Sequence, residues 1–296
     1  MPPVSLFYRL AQKVQGPVIR RWYNLMSRIN SGEHMLFMNY GWASLDNEAS
    51  TLNLLPEDEK DRYCAQLYDK VAGSIDLRGK DVLEIGCGRG GGASWVMRYL
   101  KPRTLTGLDF SSKGIEFCRQ RHVVPGLSFV IGDAEELEFG PESFDAVINI
   151  ESSHCYRSMS QFLAGVFRIL KPGGYFLYTD YHSEKKLEGI RKMIEESGLK
   201  ILFEEDISRN VLKALELDNE RKAALINTRV PFFLRKLFYE FAGMEGTQTF
   251  NATMRTGDRI YSRFVLQSPE VGRGDEEEHL TAARRGEHSR SSTNMP

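Results

Sequence analysis

The segment Asp81-Val-Leu-Glu-Ile-Gly-Cys-Gly-Arg-Gly-Gly-Gly92 decides the fold of this chain. Residues 82–85 have the apolar character of a short buried strand, and glycines follow at positions 86, 88 and 90. Apolar residues then recur at the spacing of one helix face, at Ala93, Val96, Met97 and Leu100. A strand that turns through glycines into a helix lets its backbone approach a bound nucleotide closely. The segment therefore predicts a nucleotide-binding strand–helix unit.

The residues around this loop distinguish two nucleotide ligands, a dinucleotide and S-adenosylmethionine (SAM). The next predicted strand ends in Asp109, 19 positions after Gly90 (109 − 90), and an acidic residue about 20 positions downstream usually holds ribose hydroxyls. The dinucleotide fingerprint has the spacing G-x-G-x-x-G, whereas this loop has G-x-G-x-G behind Glu84. A carboxylate there would repel a pyrophosphate but suits the amino group and sulfonium of SAM. The loop therefore favours SAM over the cofactor of a dinucleotide oxidoreductase.

Five segments of the chain resemble the successive motifs of class I SAM-dependent methyltransferases. In order they are VLEIGCGRGGG, GLDFS, GDAEELEF, FDAVINIESSHCY and LKPGGYF, within roughly residues 60–180. The SHCY and GGGAS segments, with Gly246-Thr247-Gln248, further resemble O-methyltransferases that act on phthiotriol- and phenolphthiotriol-type lipids and on polyketides. The resemblance implies an enzyme that uses SAM as its cofactor and transfers a methyl group to a small molecule.

Strands and helices alternate from Lys80 onward, which predicts an α/β fold: a Rossmann-like, seven-stranded, mostly parallel sheet with helices on both faces. The predicted strands cover 82–85, 104–108, 127–131, 144–150, 175–180, 200–204 and 260–266, with helices near 91–100, 112–122 and 158–170. We expect five parts: an N-terminal helical and aromatic cover (1–55), the SAM-binding core (56–205), a helical lid insert (206–258), the last core strand (259–267) and a disordered polar tail (268–296).

Three segments outside the core have two interpretations each. Residues 4–30 have the spacing of an amphipathic helix with basic residues, which is expected to cover the substrate pocket or, alternatively, to touch a membrane surface. Residues 34–55 are rich in aromatic residues, and the resemblance implies that Asn39, Tyr40 and Trp42 close over SAM, unless they only pack on the first helix. The aromatic residues of the insert line an apolar acceptor pocket or pack on the sheet.

The composition argues against several classes of partner. The formal net charge of −1 provides no general attraction to nucleic acid. The motif after the fourth strand also lacks the Asn-Pro-Pro-Tyr loop with which nucleic-acid amino methyltransferases hold a flipped base. The four cysteines are scattered, which favours a reduced cytoplasmic compartment. Neither a stretch of about 20 apolar residues nor a secretory signal is evident. We expect a cytoplasmic protein without stable membrane insertion, with peripheral contact left open, and the sequence does not indicate its oligomeric state.

The resemblance also implies which residues hold the cofactor. Gly86, Gly88 and Gly90 give the backbone a close approach, and Glu84 faces the methionine moiety. Asp109 takes the ribose hydroxyls with Phe110 beside the adenine, and Asp133 accepts the adenine amino proton. The full expected set is Tyr40, Glu84, Gly86, Cys87, Gly88, Gly90, Asp109, Phe110, Gly132, Asp133, Ala134, Ile150 and Glu151. Cys87 is expected to be a small apolar filler rather than a reactive thiol.

The candidate catalytic residues follow the predicted fourth and fifth strands, because ligands of such sheets bind at the carboxyl ends of the strands. His154 is the first candidate for the general base, since its reference pKa of about 6.5 leaves it able to accept a proton at neutral pH. Alternatively, it only hydrogen-bonds the acceptor or packs beside SAM. Glu151 is expected to orient His154 or to contact the SAM amino group. His182 is the second candidate base. It could also bind a divalent metal together with Asp180, but two ligands are a weak signal and we predict no essential metal.

These observations predict O-methylation of a hydroxyl on a lipophilic small molecule, a polyketide or complex lipid of secondary metabolism. One alternative is C-methylation of a quinone-, tocopherol- or sterol-like ring, whose pocket would be equally apolar. A second alternative is a non-catalytic SAM-binding protein or a pericyclase. The predicted partner is therefore a lipophilic acceptor, and its identity and the methylated position are not determined by the sequence.

Overall fold

The structure, a computed structural model, describes residues 35–46, 52–247, 250 and 259–270. The expected amphipathic helix over residues 4–30 and most of the expected polar tail lie outside the described residues. The expected division of the chain into five parts stays a prediction.

One seven-stranded sheet organises the described chain. Its strand order is β3-β2-β1-β4-β5-β7-β6. The strands are β1 (Asp81–Ile85), β2 (Thr104–Asp109), β3 (Leu127–Ile131), β4 (Phe144–Ile150), β5 (Leu170–His182), β6 (Lys200–Asp206) and β7 (Ile260–Gln267). Strands β3, β2, β1, β4 and β5 pair in parallel, and β7 runs antiparallel to both β5 and β6. The predicted mostly parallel Rossmann-like sheet is confirmed.

Eight α-helices accompany the sheet in the described ranges. They are α1 (Arg62–Ala72), α2 (Gly91–Tyr99), α3 (Ser112–Arg121), α4 (Met159–Ile169), α5 (Glu184–Glu196), α6 (Ser208–Leu217), α7 (Asn219–Arg229) and α8 (Phe232–Phe241). Helix α5 was not among the predicted helices, because its buried residues Leu187, Ile190 and Ile194 lie in a charge-rich segment. A short 3-10 turn, Glu59–Asp61, precedes α1.

Both faces of the sheet are buried, each in its own hydrophobic cluster. Val82 of β1 faces the cluster that contains Leu67 of α1 and Trp95 of α2. Its neighbour Leu83 faces the opposite cluster, with Phe162 of α4. Successive strand residues point to opposite faces, so a strand covered on both sides is apolar throughout. This layering leaves the carboxyl ends of the parallel strands as the open edge.

The insert between β6 and β7 packs in two different ways. Val211 of α6 joins the first cluster of the sheet. Helices α7 and α8 instead form a separate small cluster around Ile226, Val230 and Phe238, against which Met35 packs. The interpretation that the insert packs on the sheet therefore describes α6, whereas α7 and α8 form a hairpin with its own core.

Strand β5 is longer than the predicted 175–180, since it spans Leu170–His182. His182 consequently lies inside the strand rather than after it, and both His182 and Asp180 are buried. Pairing of β5 with β4 places Thr179 opposite Ile150. The end of β5 is thereby brought next to the segment that follows β4.

Candidate active site

A cavity of about 520 Å³ lies at the carboxyl ends of β1, β2, β3 and β4. Its walls come from four connections of the sheet, from α1 and from the segment that precedes α1. The lining residues that the following argument uses are Leu36, Phe37, Met38, Asn39, Tyr68, Gly86, Cys87, Gly88, Gly92, Asp109, Phe110, Gly132, Asp133, Ala134, Ile150, Glu151, Ser152, Cys155 and Tyr156. Most of the predicted cofactor residues thus share one cavity.

The loop after β1 requires glycine where it faces this cavity. Gly86 has φ +77°, and a Cβ there would come within 2.3 Å of Ser152 Oγ. Gly92, in the first turn of α2, would place a Cβ 1.8 Å from the ring of Tyr68. The loop is therefore packed tightly from behind while its other side forms the cavity wall. Such a backbone surface can approach a ligand closely.

Asp109 is held in place by the backbone of its surroundings. One carboxylate oxygen accepts the N–H of Gly88 at 2.9 Å, and the other accepts the N–H of Ser111 at 2.9 Å. Burial raises the pKa of Asp109 to about 6, against the opposing effect of these N–H donors. The fixed carboxylate borders the cavity beside Phe110, where it could accept ribose hydroxyls.

Glu84 is a buried carboxylate with an unused acceptor. The Tyr68 hydroxyl donates to Oε1 at 2.6 Å, while Oε2 has no hydrogen-bond partner in the described part of the chain. Burial raises the pKa of Glu84 to about 7, although the Tyr68 donor opposes that shift. Glu84 does not itself line the cavity, but Tyr68 does. A buried acceptor without a partner costs free energy, so this site suits a ligand that brings a cationic amino group, as SAM does.

The adenine side of the predicted site is formed by the segment after β3. Gly132, Asp133 and Ala134 line the cavity together with Phe110. The Asp133 carboxylate accepts the backbone N–H of Glu135 at 3.0 Å, which fixes its orientation. The four positions are thus brought together as predicted, and they could enclose an aromatic base.

Residues 35–46, here called the strap, close one side of the cavity. The Arg89 side chain donates to Met35 O at 2.8 Å, and the Gly91 N–H donates to Leu36 O at 3.2 Å. Leu36, Phe37, Met38 and Asn39 of the strap line the cavity. Of the three residues that were expected to close over SAM, Asn39 lines the cavity, and closure of the segment over SAM stays a prediction. Trp42 packs on the core instead, with Lys70 Nζ 5.4 Å from its ring centre.

Besides Glu84, two other predicted cofactor residues, Gly90 and Tyr40, do not line the cavity. A Cβ at Gly90 would lie 2.9 Å from both the His122 and Phe129 rings, so glycine there serves the packing of the loop on β3. The Tyr40 ring is buried and stacks on Tyr181 at 5.8 Å between ring centres. Its backbone N–H donates to Glu151 at 2.8 Å, so Tyr40 contributes to the site through the strap.

His154 and Asp180 form a hydrogen-bonded pair beside the cavity. Asp180 is fully buried, and its carboxylate accepts His154 Nδ1–H at 2.9 Å, His154 N–H at 2.9 Å and Ser153 Oγ–H at 2.6 Å. Burial alone would raise the pKa of Asp180, but His154 outweighs that effect and holds the pKa below its usual value. Burial would likewise lower the pKa of His154, yet Cys155 and Asp180 raise it well above 6.5.

The residue that orients His154 is not the one that was expected from the sequence. Asp180, rather than Glu151, holds the His154 ring. His154 does not itself line the cavity, although Glu151 and Cys155 on either side of it in the chain do. Its side chain is 24% exposed and packs on Tyr181 with 4.7 Å between ring centres. The ring therefore lies beside the cavity rather than in its wall, with Nδ1 bonded to Asp180 and a side-chain hydrogen bond to Cys155.

Glu151 instead connects the strap to the sheet. It has φ +50°, which is unusual for a residue other than glycine. One of its oxygens accepts both the Tyr40 N–H, at 2.8 Å, and the Tyr261 hydroxyl. Burial raises the pKa of Glu151 to about 7, against the opposing effects of these two donors.

His182, the second candidate base, lies away from the cavity. It is 3% exposed, and its Nε2 pairs with the Tyr178 hydroxyl at 2.9 Å. Burial lowers its pKa to about 4, although Asp180 acts in the opposite direction. Within the described ranges, no group of three or more His, Cys, Asp or Glu side chains could hold a metal ion. The geometry thus favours His154 over His182 as the residue next to the acceptor.

The comparison with known proteins identifies the family. A family model described as a methyltransferase domain matches residues 83–178. The phthiotriol/phenolphthiotriol dimycocerosates methyltransferase of Mycobacterium tuberculosis (strain ATCC 25177 / H37Ra) is 42% identical over 231 residues, which cover 78% of this chain and 85% of that protein. The chain belongs to the SAM-dependent methyltransferases. It is therefore an enzyme of this class with SAM as its cofactor, and the alternative of a non-catalytic SAM-binding protein is not supported.

Two further proteins are similar to this methyltransferase. The fatty-acid O-methyltransferase of Mycolicibacterium smegmatis (strain ATCC 700084 / mc(2)155) is 39% identical over 228 residues, or 77% of this chain and 82% of that protein. The crystal structure of the [4+2]-cyclase SpnF superposes with a TM-score of 0.66 at 20% identity, over 86% of this chain and 96% of the other. The similarity to SpnF shows the fold alone.

Several residues of the site escaped the sequence analysis. Tyr68 is on α1, before the first core strand, and no pattern in its surroundings relates it to Glu84. Leu36 and Phe37 line the cavity with apolar side chains, and no motif of the sequence distinguishes them. Asp180 was considered only as a metal ligand, although its position at the end of β5 could have indicated a partner for His154.

Proposed function

We propose that this methyltransferase transfers the methyl group of SAM to a hydroxyl oxygen of a lipophilic acceptor, a complex lipid or polyketide. The observation that carries the proposal is the hydrogen-bonded pair of His154 and Asp180 beside the cavity, adjacent in the chain to Cys155, which lines it. When bound, SAM supplies a methyl group that its sulfonium has already activated. A hydroxyl acceptor has a high pKa, so a neighbouring base assists by removing its proton.

His154 has the geometry of that base. Because the Asp180 carboxylate accepts from Nδ1, this nitrogen keeps its proton in the neutral ring, and Nε2 then carries a lone pair. Nε2 would accept the proton of the acceptor hydroxyl. The buried negative charge of Asp180 would stabilise the imidazolium that results, as a carboxylate does in other His–Asp pairs.

The cavity residues could also bind both SAM and the acceptor. Glu84 and Tyr68 would bind the amino-acid end of SAM, Asp109 the ribose, and the segment Gly132–Ala134 the adenine. The strap would exclude water and give the remaining wall an apolar surface through Leu36, Phe37 and Met38. Exclusion of water strengthens the hydrogen bonds that position the reacting groups.

The names of the relatives support a lipid-type acceptor. The relative from Mycobacterium tuberculosis is named for phthiotriol and phenolphthiotriol dimycocerosates, and the one from Mycolicibacterium smegmatis is named for fatty acids. The second name specifies O-methylation. We therefore place the acceptor oxygen, a hydroxyl by preference, on a long-chain lipid.

Incubation with methyl-labelled SAM and defined acceptors tests the proposal. A long-chain diol, a free fatty acid and a lipophilic quinone separate a hydroxyl, a carboxylate and a ring carbon. We expect label on the diol, with the methyl carbon bonded to oxygen by NMR. A carbon-bound methyl on the quinone would establish the C-methyltransferase alternative. Label on the fatty acid alone would move the acceptor from hydroxyl to carboxylate.

Two histidine variants separate the candidate bases in the same assay. His154→Ala removes the residue next to the cavity, and we expect turnover of the diol to fall by roughly 10²- to 10⁴-fold, the usual contribution of a general base. His182→Asn replaces the residue that pairs with Tyr178, and we expect most of the activity to remain. Full activity of His154→Ala with the diol would overturn the assignment of the base.

A further inference from the structure

The turn between α7 and α8 exposes two adjacent aromatic residues. The side chains of Phe232 and Phe233 are 80% and 70% exposed. They form an edge-to-face pair with 5.6 Å between ring centres. Among the large hydrophobic side chains that the structure describes, only Val123 is more exposed, at 86%. We call Pro231, Phe232 and Phe233 the aromatic tip.

Packing of the hairpin does not require the aromatic tip. Helices α7 and α8 bury Ile226, Val230 and Phe238 in their own cluster. The tip lies outside that cluster, at the start of α8. Two phenylalanines side by side in water form an apolar patch, and such a patch on a soluble surface usually marks a binding site.

The aromatic tip lies in the middle of a basic segment. Residues 221–239 contain five Lys or Arg and no Asp or Glu, whereas the chain as a whole has a net charge of −1; Arg221 and Lys222, the two farthest from the tip, pair with Asp218. Three of these cations, Arg229, Arg235 and Lys236, lie within four positions of the tip. The Arg235 guanidinium donates to Val230 O at 3.0 Å and Asn227 O at 2.6 Å, which fixes the turn that presents the tip.

We propose that the aromatic tip docks on an anionic lipid surface. Phe232 and Phe233 would enter the headgroup layer, and Arg229 and Lys236 would lie over the lipid phosphates. Aromatic residues favour the interface of a bilayer, and each nearby cation adds attraction to anionic lipids. A second copy of the chain docked at the tip would place two identical positive segments opposite each other. Their repulsion disfavours such a dimer. No helix in the described part of the chain could span a membrane, so this contact is interfacial.

Docking here would bring the cavity close to the bilayer. The cluster under the aromatic tip, which includes Ile226 and Phe238, packs on Met35 at the start of the strap. Arg89 binds the Met35 carbonyl, and the next residue, Leu36, lines the cavity. The hairpin therefore connects the tip with the cavity wall through direct packing. The proposal does not depend on which acceptor is methylated, since docking needs neither SAM nor acceptor.

Co-sedimentation of the full chain with lipid vesicles tests the proposal. Vesicles of phosphatidylglycerol and phosphatidylcholine are compared with vesicles of phosphatidylcholine alone, at low and high salt. We expect binding to the anionic vesicles, weakened by salt because charge attraction is screened. Phe232→Ser/Phe233→Ser should weaken that binding by at least roughly tenfold, and Arg229→Gln/Lys236→Gln should weaken it by a similar factor and remove most of its salt dependence.

Val123→Ser is the matched control, because it removes an equally exposed apolar residue outside the hairpin. We expect it to bind vesicles like the unchanged chain. Thermal unfolding should be the same for all variants, since the replaced side chains are exposed. Absence of binding to anionic vesicles, or equal binding by Phe232→Ser/Phe233→Ser, would overturn the proposal. So would a dimer in sedimentation that this double variant converts to a monomer.

Discussion

The buried carboxylate of Asp180 accepts two hydrogen bonds from one residue, His154, through its ring Nδ1 and its backbone N–H, each at 2.9 Å. The two contacts fix both the position of the histidine and the nitrogen that carries its proton. Ser153 Oγ–H donates at 2.6 Å to the oxygen that accepts the His154 N–H, and the Tyr181 N–H donates at 2.8 Å to the other oxygen. The arrangement allows the role of Asp180 to be separated from that of the cofactor site.

Asp180→Asn should lower turnover while leaving SAM binding intact. An amide in place of the carboxylate can donate to Nδ1, which favours the tautomer that lacks a lone pair on Nε2. We expect kcat to fall by roughly 10²- to 10⁴-fold, as in other His–Asp pairs. Calorimetry should show SAM affinity within about twofold of the unchanged enzyme. Unaltered kcat in this variant would remove Asp180 from the mechanism.

The pH dependence of the reaction should report the raised pKa of His154. The ring accepts a proton only when it is neutral, so kcat/KM should rise with pH through a pKa above the ordinary 6.5. Cys155 and Asp180 both raise this pKa, so without the carboxylate the ring is less basic and the residual activity of Asp180→Asn should rise at a lower pH. The check is a pair of pH–rate profiles over pH 5.5–9.5, where the same midpoint in both would contradict the pairing as the cause.

SAM affinity should increase with pH because Glu84 must lose its proton to receive a cationic amine. With a pKa of about 7, roughly one Glu84 in ten is ionised at pH 6. We expect the Kd for SAM to be about tenfold higher at pH 6 than at pH 8, with proton release on binding in calorimetry. Glu84→Gln should bind SAM weakly, with little dependence on pH. A steep pH dependence that persists in this variant would assign the titration to another group.

The sequence was sufficient for the cofactor loop because that unit is local. Gly86, Gly88 and Asp109 belong to one strand–loop–helix–strand segment, whose pattern predicts both its structure and its edge of the sheet. The pairing of His154 with Asp180 depends instead on the register of β4 with β5 and on the true end of β5. The register of β4 with β5 cannot be predicted from a local residue pattern.

The contacts of the strap show a second limit of sequence reasoning. Arg89 reaches Met35 across 54 positions, and Tyr40 reaches Glu151 across 111. These contacts form only when the whole sheet is folded. The apolar residues of the strap do not recur with the periodicity of a helix or a strand, so the sequence does not indicate how the strap packs. Its aromatic content still indicated a cover, since so many large apolar residues are unusual in a plain linker.

Glu151→Ala should loosen the strap over the cavity. The variant leaves the Tyr40 N–H and the Tyr261 hydroxyl without their acceptor, and a buried donor without a partner costs about 1–3 kcal/mol. We expect the Kd for SAM to rise roughly tenfold, with faster hydrogen exchange of the Tyr40 amide. Glu151→Gln is the control, because its amide oxygen can still accept both bonds. Equal exchange rates in Glu151→Ala and the unchanged enzyme would show that Glu151 does not hold the strap.

Gly86→Ala should destabilise the enzyme more than Gly79→Ala, although both glycines have nearly the same φ, +77° and +73°. A Cβ at Gly79 meets nothing within 4 Å, so that variant measures the cost of the left-handed backbone alone, about 1–2 kcal/mol. A Cβ at Gly86 meets Ser152 Oγ at 2.3 Å. Ser152 cannot move away without losing its bonds to Asn149 at 2.7 Å and Tyr156 at 2.8 Å.

We therefore expect urea unfolding to show an additional loss of about 1–3 kcal/mol for Gly86→Ala, the usual cost of overpacking. SAM affinity should also fall in Gly86→Ala, because Ser152 and Tyr156 line the cavity, and it should be unchanged in Gly79→Ala. Equal losses of stability in the two variants would mean that the loop adjusts around the added methyl group. In that case the glycine at 86 would be required by its backbone conformation rather than by the crowding behind the cavity wall.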